Sequence, residues 1–470
     1  MENHNVKRTK FEREGKQKAP PRLPLELMHN IFEYLGNQDI VDWICLNKAM
    51  FEYFIPIIYK EITTSSRIDM GNINLEKYGN HIKTINMTNE ENETNKIELL
   101  FKLNQLHPGT IYNLKCTYEV AKALSQYYCL PINKYILDNF KIIELYHPFN
   151  SIKEEMIPFS MPTSFSKNNI INGVEKVVVN KIKGEVNTNY LEYLSKDKIK
   201  YIYFNTHSSI FLRNFPEQIC SFHNLNTLKI KSKGYELNVR SILSCKYPSL
   251  ETLYLEIQNY HMIEDGIRTL LLDSYNFPIL KKLMLHMAYK FTFTGQFKLL
   301  NVLYLTTHAQ LDELKFDFML FPKLQALHLI REDKIFSHTT FNFINAEKSE
   351  LKKLAFHNII FTDTYFNYLS KNLKFLKVLY LDNSGIDSSE DDTVDNSCFM
   401  LTLRYFIYEN SDSTFLNWYL SHFPNLKYLF CKKDSIEHIN EQFPSIVCLK
   451  DLFDPYLKQF TFSFQNNFLF

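Results

Sequence analysis

His286 and His357 each follow an apolar-x-apolar pair, and His328 sits inside one. Imidazole is the commonest zinc ligand, and three together would nearly complete a catalytic zinc site. These three occupy two different positions of the pattern and lie far apart in the chain, so dispersed polar histidines are the plainer reading and no metal is assigned. The eight cysteines include no Cys-x-x-Cys pair. Cys220, Cys245 and Cys398 each stand five residues before a recurring leucine, which suits small, buried, reduced thiols at one structural position. No nucleophile–base signature, Walker loop, His-Glu-x-x-His or dinucleotide fingerprint occurs, and only 11 glycines are present. No catalytic residue and no cofactor are therefore expected, and the chain is read as a non-enzyme. The remaining chemistry is that of recognition. Lys229 and Lys231, next to Tyr203 and Tyr254 on neighbouring repeats, could receive an acidic or phosphorylated peptide through charge-assisted hydrogen bonds. Tyr304 and Tyr380 continue the same tyrosine-rich position and complete the candidate target-binding set.

The elements that must position these residues recur. A Leu-x-x-Leu-x-Leu pattern begins at Ile199, Leu225, Leu250, Leu280, Leu300, Leu324, Leu351, Leu376, Leu403 and Leu426. Successive starts are 20 to 30 residues apart with a mean of about 25, inside the window of leucine-rich repeats. Weaker matches begin at Ile82, Ile111, Phe140 and Val174. The second and third apolar positions alternate on one face of a short strand, and the first turns inward just before it. One such unit cannot bury that face alone, so the units must stack as parallel strands over a continuous core. The residues between the apolar ones then form ladders on the opposite, concave face. One ladder reads Tyr203, Lys229, Tyr254, Met284, Tyr304, His328, Ala355, Tyr380, Ile407, Phe430. Its tyrosines are expected to be exposed.

Between strands the chain must return. The runs "MIEDGIRTLLLDSY" (262–275) and "STFLNWYLSHFP" (413–424) have helical spacing, so outer helices are expected. "YPSLETLYLE", "FPILKKLMLH", "FPKLQALHLI" and "FPNLKYLFCK" each begin with an aromatic–proline pair. Proline ends the return segment, and the aromatic plugs the end of the core. The segment "DNSGIDSSEDDTVDNS" (382–397) reads as an exposed acidic loop.

Lys plus Arg number 53 against 52 Asp plus Glu, so charge gives no reason to expect nucleic-acid or membrane partners. No apolar run is long enough for a transmembrane helix and no secretory signal is legible, which points to the cytoplasm or nucleus.

Residues before about 65 do not follow the period. Residues 1–20 are charged and low in apolar content, a disordered basic arm in this reading. Pro24 suits a first helical turn, and Leu27, Ile31 and Leu35 form one apolar stripe. Gly36 stops that helix, Asp39 can cap a second, and Asn47 a third. Leu23-Pro24-x-Glu26-Leu27, Ile31-Phe32-x-x-Leu35, Asp39-Ile40 and Pro56-Ile57-Ile58-Tyr59 resemble the F-box pattern at the family's spacing. Phe51 and Tyr59 stand where many members carry tryptophan. The resemblance covers about a tenth of the chain, roughly 22–62, and it precedes leucine-rich repeats, an arrangement familiar in that family.

The resemblance implies an α/β protein with a short three-helix F-box followed by a leucine-rich-repeat solenoid, a curved parallel β-sheet with outer helices. It implies a substrate receptor that docks the Skp-type adaptor of a cullin–RING ubiquitin ligase and presents a target protein on its repeats. The adaptor-facing residues carried over are Leu23, Pro24, Leu27, Ile31, Leu35, Ile40 and Ile58. The expected organisation is 1–20 arm, 21–64 F-box, 65–198 degenerate repeats, 199–445 regular repeats and 446–470 cap. The other reading is a scaffold or inhibitor that uses the same repeat surface without a ligase.

Overall fold

The structure, a computed structural model, describes residues 52, 55–56, 59–63, 75–88, 93–117, 142–146, 174–182, 191, 194–206, 215–232, 239–257, 269–287, 289–307, 313–331, 340–387, 399–409, 414–431, 439 and 442–449. Among these, sixteen strands form one sheet whose order follows the chain, from Glu61–Thr63 to Val447–Leu449. Neighbouring strands are parallel and aligned repeat on repeat: Leu228 pairs with Leu253, Leu253 with Leu283, and Leu283 with Leu303. The chain is thus an α/β protein dominated by a large parallel sheet. That arrangement is consistent with a solenoid.

The Leu-x-x-Leu-x-Leu pattern explains the core. In the strand Thr227–Ser232 and its neighbours the second and third apolar residues point inward: Leu228, Ile230, Leu253, Leu255, Leu283 and Leu285 have no exposure. The first apolar residue, as at Leu250, Leu300, Leu324 and Leu351, is buried just before each strand begins. Each unit contributes three such side chains, each worth about 1.5–3 kcal/mol when fully buried. A unit has nowhere to bury them without its neighbours.

The aromatic–proline pairs close this core. Tyr247, Phe277, Phe321 and Phe423 are all buried. The carbonyl preceding the aromatic has a fixed partner in the adjacent repeat: Asn276 O accepts from Tyr247 N (2.8 Å), Leu320 O from Phe297 N (2.8 Å) and His422 O from Met400 N (3.0 Å). Successive repeats are therefore tied at the turn that would otherwise leave backbone groups unpaired in the core. Two of these turns are capped in the same way. Asp273 accepts from Tyr275 N and Asp317 from Met319 N, both at 2.9 Å.

The return segments differ from expectation. Thr414–Ser421 is a helix as read, but the helix expected over 262–275 is replaced in its described part by a strand, Thr269–Asp273, and a short 3-10 turn, Ser274–Asn276. Leu270 and Leu272 face inward while Leu271 is exposed, a period of two rather than 3.6. This strand pairs in parallel with Lys290–Thr294, and Glu313–Asp317 pairs with Thr340–Ile344. The reason is pairing: each of these extended returns lies beside another, so their backbone groups satisfy one another across repeats as those of the main sheet do. The acidic segment also differs, since Gly385–Asp387 pairs with Ile360–Thr362 and Ser384 is buried. Residues 388–397 of it lie outside the described residues.

The sheet extends one strand beyond the expected repeats at each end. Glu61–Thr63 lies within the 21–64 range read as F-box, and Val447–Leu449 within the range read as cap. Tyr59 stacks on Tyr78 at 5.1 Å, so the end of the F-box-like segment is packed onto the first repeats.

The expectation of reduced thiols is corrected at two positions: Cys220 and Cys245 form a disulfide. Their common offset from consecutive repeat starts is the cause, because parallel stacking brings their Cα atoms to 6.0 Å, within bridging range. The bond closes a loop with a sequence separation of 25. Reduction, or Cys220→Ser, is expected to lower stability by up to about 3 kcal/mol. Urea midpoints with and without reductant check this.

Candidate functional site

The ladder expected between the buried leucines is present. Tyr203, Lys229, Tyr254, Met284, Tyr304, His328, Ala355, Tyr380, Ile407 and Phe430 are successive partners across ten strands. It continues upstream through Val178, Glu144, Lys115 and Asn86. Its side chains are less exposed than the alternation predicts. Tyr254 is only 4% exposed, Lys229 4% and Tyr304 9%, whereas Tyr203 and Tyr380 are half-buried. Alternation decides which face a side chain takes, not how closely its neighbours pack there. The tyrosines and histidine pack edge to face: Tyr304 and His328 are 4.5 Å apart, and His328 and Tyr380 6.4 Å. Burial, then the nearby His357, pushes the His328 imidazole down to about 3, so it stays neutral near pH 7.

Two residues beyond each ladder position runs a second, more polar ladder, also in register: Asn205, Lys231, Glu256, His286, Thr306, Ile330, His357 and Asp382. The two ladders interlock in the same way at two places. Glu256 accepts the Tyr254 hydroxyl from its own strand and the Lys231 ammonium, 2.6 Å away, from the preceding strand. Asp382 accepts the Tyr380 hydroxyl at 3.5 Å and meets His357 Nδ1 at 2.5 Å. In both, an acid follows its tyrosine by two residues and faces a basic side chain of the preceding repeat. His286 Nδ1 instead contacts the Thr306 hydroxyl at 3.0 Å, so the three histidines have three different settings.

Burial alone would raise the Glu256 carboxyl, but the Lys231 and Tyr254 hydrogen bonds outweigh it and hold it below its ordinary value of 4.5. This contribution to stability is present in full above about 4.5 and is lost as pH falls through the lower folded value. Glu256→Gln is expected to cost about 1–3 kcal/mol at neutral pH and to flatten the loss of stability below pH 4.5. Urea unfolding at pH 7, 5 and 3.5 measures both effects. Lys231, read as a receptor for an acidic peptide, is thus already engaged by Glu256.

A third ladder, two residues before the first, was not read from the sequence, although the same alternation marks it. It runs Lys176, Tyr201, Thr227, Thr252 and Lys282. Lys176 Nζ lies 4.8 Å from the centre of the Tyr201 ring, and Lys229 Nζ lies 5.8 Å from the same ring. Burial pushes the Tyr201 phenol up to about 12, assisted by Tyr203 and Glu144. Burial, with the charges of Lys176 and Lys282, pushes the Lys229 ammonium down to about 8.

The adaptor-facing residues Leu23, Pro24, Leu27, Ile31, Leu35, Ile40 and Ile58 lie outside the described residues. Comparison with protein-family models and with curated proteins finds no match to this chain.

Proposed function

We propose that this chain is the target-recognition subunit of an SCF-type ubiquitin ligase. Residues 22–62 dock the Skp-type adaptor, and the repeat sheet holds a target protein for ubiquitin transfer by another subunit. The chain itself performs no catalytic step in this account. The observation that supports the reading is an F-box-like pattern running directly into a sixteen-stranded parallel sheet whose first strand starts at Glu61. A long sheet with one side-chain position per strand offers a broad recognition surface. Among the described residues no helix is long and apolar enough to cross a membrane, and the proposed site of action is cytoplasm or nucleus. In those reducing compartments Cys220 and Cys245 would stand as two adjacent thiols.

The target-facing part rests on Tyr203, Lys229, Tyr254, Tyr304 and Tyr380, with Lys231 as the support of Glu256. Tyr254 is a poor probe, since alanine there would strip a buried hydrogen bond from Glu256. Half-buried Tyr203 is the better one. Tyr203→Ala is expected to reduce recovery of the co-purifying target about tenfold while leaving adaptor recovery unchanged. Equal loss of both, or of neither, would count against a target site on this face.

A further inference from the structure

The residue that leads into each strand, one place after the first inward apolar residue, forms a row of its own. Its members are fixed side by side through their backbones: Lys377 N donates to Lys352 O (2.8 Å), Arg404 N to Lys377 O (2.9 Å) and Lys427 N to Arg404 O (3.0 Å). The same bonds occur upstream, where Lys200 N reaches Glu175 O and Lys281 N reaches Glu251 O, both at 2.8 Å. Charge is arranged differently in the two halves of the row. Upstream the lysines are paired within it, Lys200 with Glu175 at 2.9 Å and Lys281 with Glu251 at 2.7 Å. Downstream, Lys352, Lys377, Arg404 and Lys427 follow one another on consecutive repeats with no acid at that position.

Lys352, Lys377 and Lys427 are exposed and have no ion pair among the described residues. Arg404 is half-buried, and its Nη1 donates to the carbonyls of Leu401, Leu403 and Asn425 (3.0, 3.0 and 3.2 Å) rather than to a carboxylate. Neighbouring strands lie about 4.8 Å apart, and like charges side by side at that spacing cost stability. The turns that lead into these strands also carry exposed apolar side chains: Phe375 is 55% exposed, Leu401 59% and Phe399 44%. Thr402 Oγ1 donates to Leu376 O at 2.8 Å, so the turns bearing Leu401 and Phe375 are adjacent. Segments 373–377, 399–404 and 423–427 hold Lys374 with Lys377, Arg404 and Lys427, and no acid. Glu347 and Glu350 come before Lys352, at the upstream end of the row.

We infer that this edge, with Lys352, Lys377, Arg404 and Lys427 beside Phe375 and Leu401, seats the chain on a bilayer that contains anionic lipids. The inference does not depend on the adaptor reading. The whole-chain balance of 53 basic against 52 acidic residues conceals such an edge, because it says nothing of where each sign gathers. Exposed apolar side chains rimmed by charge mark contact sites, and the sign of the charge selects the partner. At a bilayer the cations meet anionic headgroups while the apolar tips enter the boundary with the acyl chains. A nucleic acid would satisfy the cations and stack on Phe375, but it has no use for the aliphatic Leu401. An acidic peptide would likewise engage the cations and leave the tips in water. The cytoplasmic leaflet is the anionic one, which agrees with the compartment proposed above.

The test is flotation of the full chain with two kinds of vesicle, phosphatidylcholine alone and phosphatidylcholine with about one-third phosphatidylserine. The chain is expected to float with the anionic vesicles only, and less as salt is raised. Lys377→Gln with Lys427→Gln should lower the partition about twentyfold. Phe375→Ser with Leu401→Ser should lower it at least about tenfold. Lys281→Gln should leave it unchanged, since that ammonium is already paired with Glu251. Unfolding midpoints show which variants keep their fold, and Lys377→Gln and Leu401→Ser singly serve if a double variant does not. No flotation, or equal flotation with both vesicles, would overturn the proposal. Loss with the lysine variant but not with the apolar one would also overturn it, in favour of a soluble polyanion. Oligo(dT) and polyglutamate, titrated into the same samples, then distinguish a nucleic acid from an acidic peptide.

Discussion

Phe321→Ala is expected to destabilise the central repeats by about 3–5 kcal/mol. The ring is 1% exposed and has aromatic neighbours on three sides. It stacks on Phe316 at 4.9 Å and Phe297 at 5.6 Å, and takes the edge of Phe293 at 5.1 Å. These neighbours sit on different repeats, so removing one ring opens a cavity at a junction rather than within a unit. The rigid strands on either side limit collapse into that space. Stability in such an array is carried by interfaces between neighbours, so the loss should also broaden the transition or split it in two. Urea unfolding followed by circular dichroism measures this. A loss below about 1 kcal/mol would mean that the aromatic–proline pairs only mark the turn and do not seal the core.

Glutamate at both Leu27 and Ile31 is expected to abolish adaptor binding, a loss of at least about a thousandfold, or about 4 kcal/mol. The two positions are four residues apart and share one face of the first expected helix. An apolar helix face buried in a partner cannot take up two carboxylates without desolvating them unpaired. The repeats should survive, because the sheet starts only at Glu61 and Ile62 joins its core. Unchanged sheet signal with lost adaptor binding is the expected pair of results. Unchanged adaptor binding would remove these residues from the interface.

The strand core was legible because a two-residue alternation repeated at a steady interval leaves few other structures open. Leu250, Leu253 and Leu255 illustrate it: three positions, three inward side chains. The ladder positions followed from the same alternation, and the register of Tyr203 through Phe430 agrees. Three things were harder. The Leu270-Leu271-Leu272 run satisfies helical and extended spacing alike, and it is pairing with the next return, Lys290–Thr294, that accompanies the strand. The burial of Tyr254 and Lys229 depends on neighbours across strands, which one sequence cannot weigh. The bridge between Cys220 and Cys245 was visible as a shared offset, but it becomes a bond only once the stacking distance is known. The end strands were hidden for local reasons. Glu61–Thr63 has a single apolar residue, and Val447–Leu449 breaks off before completing the motif.

The most direct test of the receptor account is titration of the purified full chain with a purified Skp-type adaptor, read by calorimetry and gel filtration. The expected result is a one-to-one complex with a dissociation constant of about 1 μM or tighter, the equivalent of about 8 kcal/mol or more. No heat and no co-elution, from a chain whose sheet is folded, would contradict the account and leave a repeat scaffold that works without a ligase.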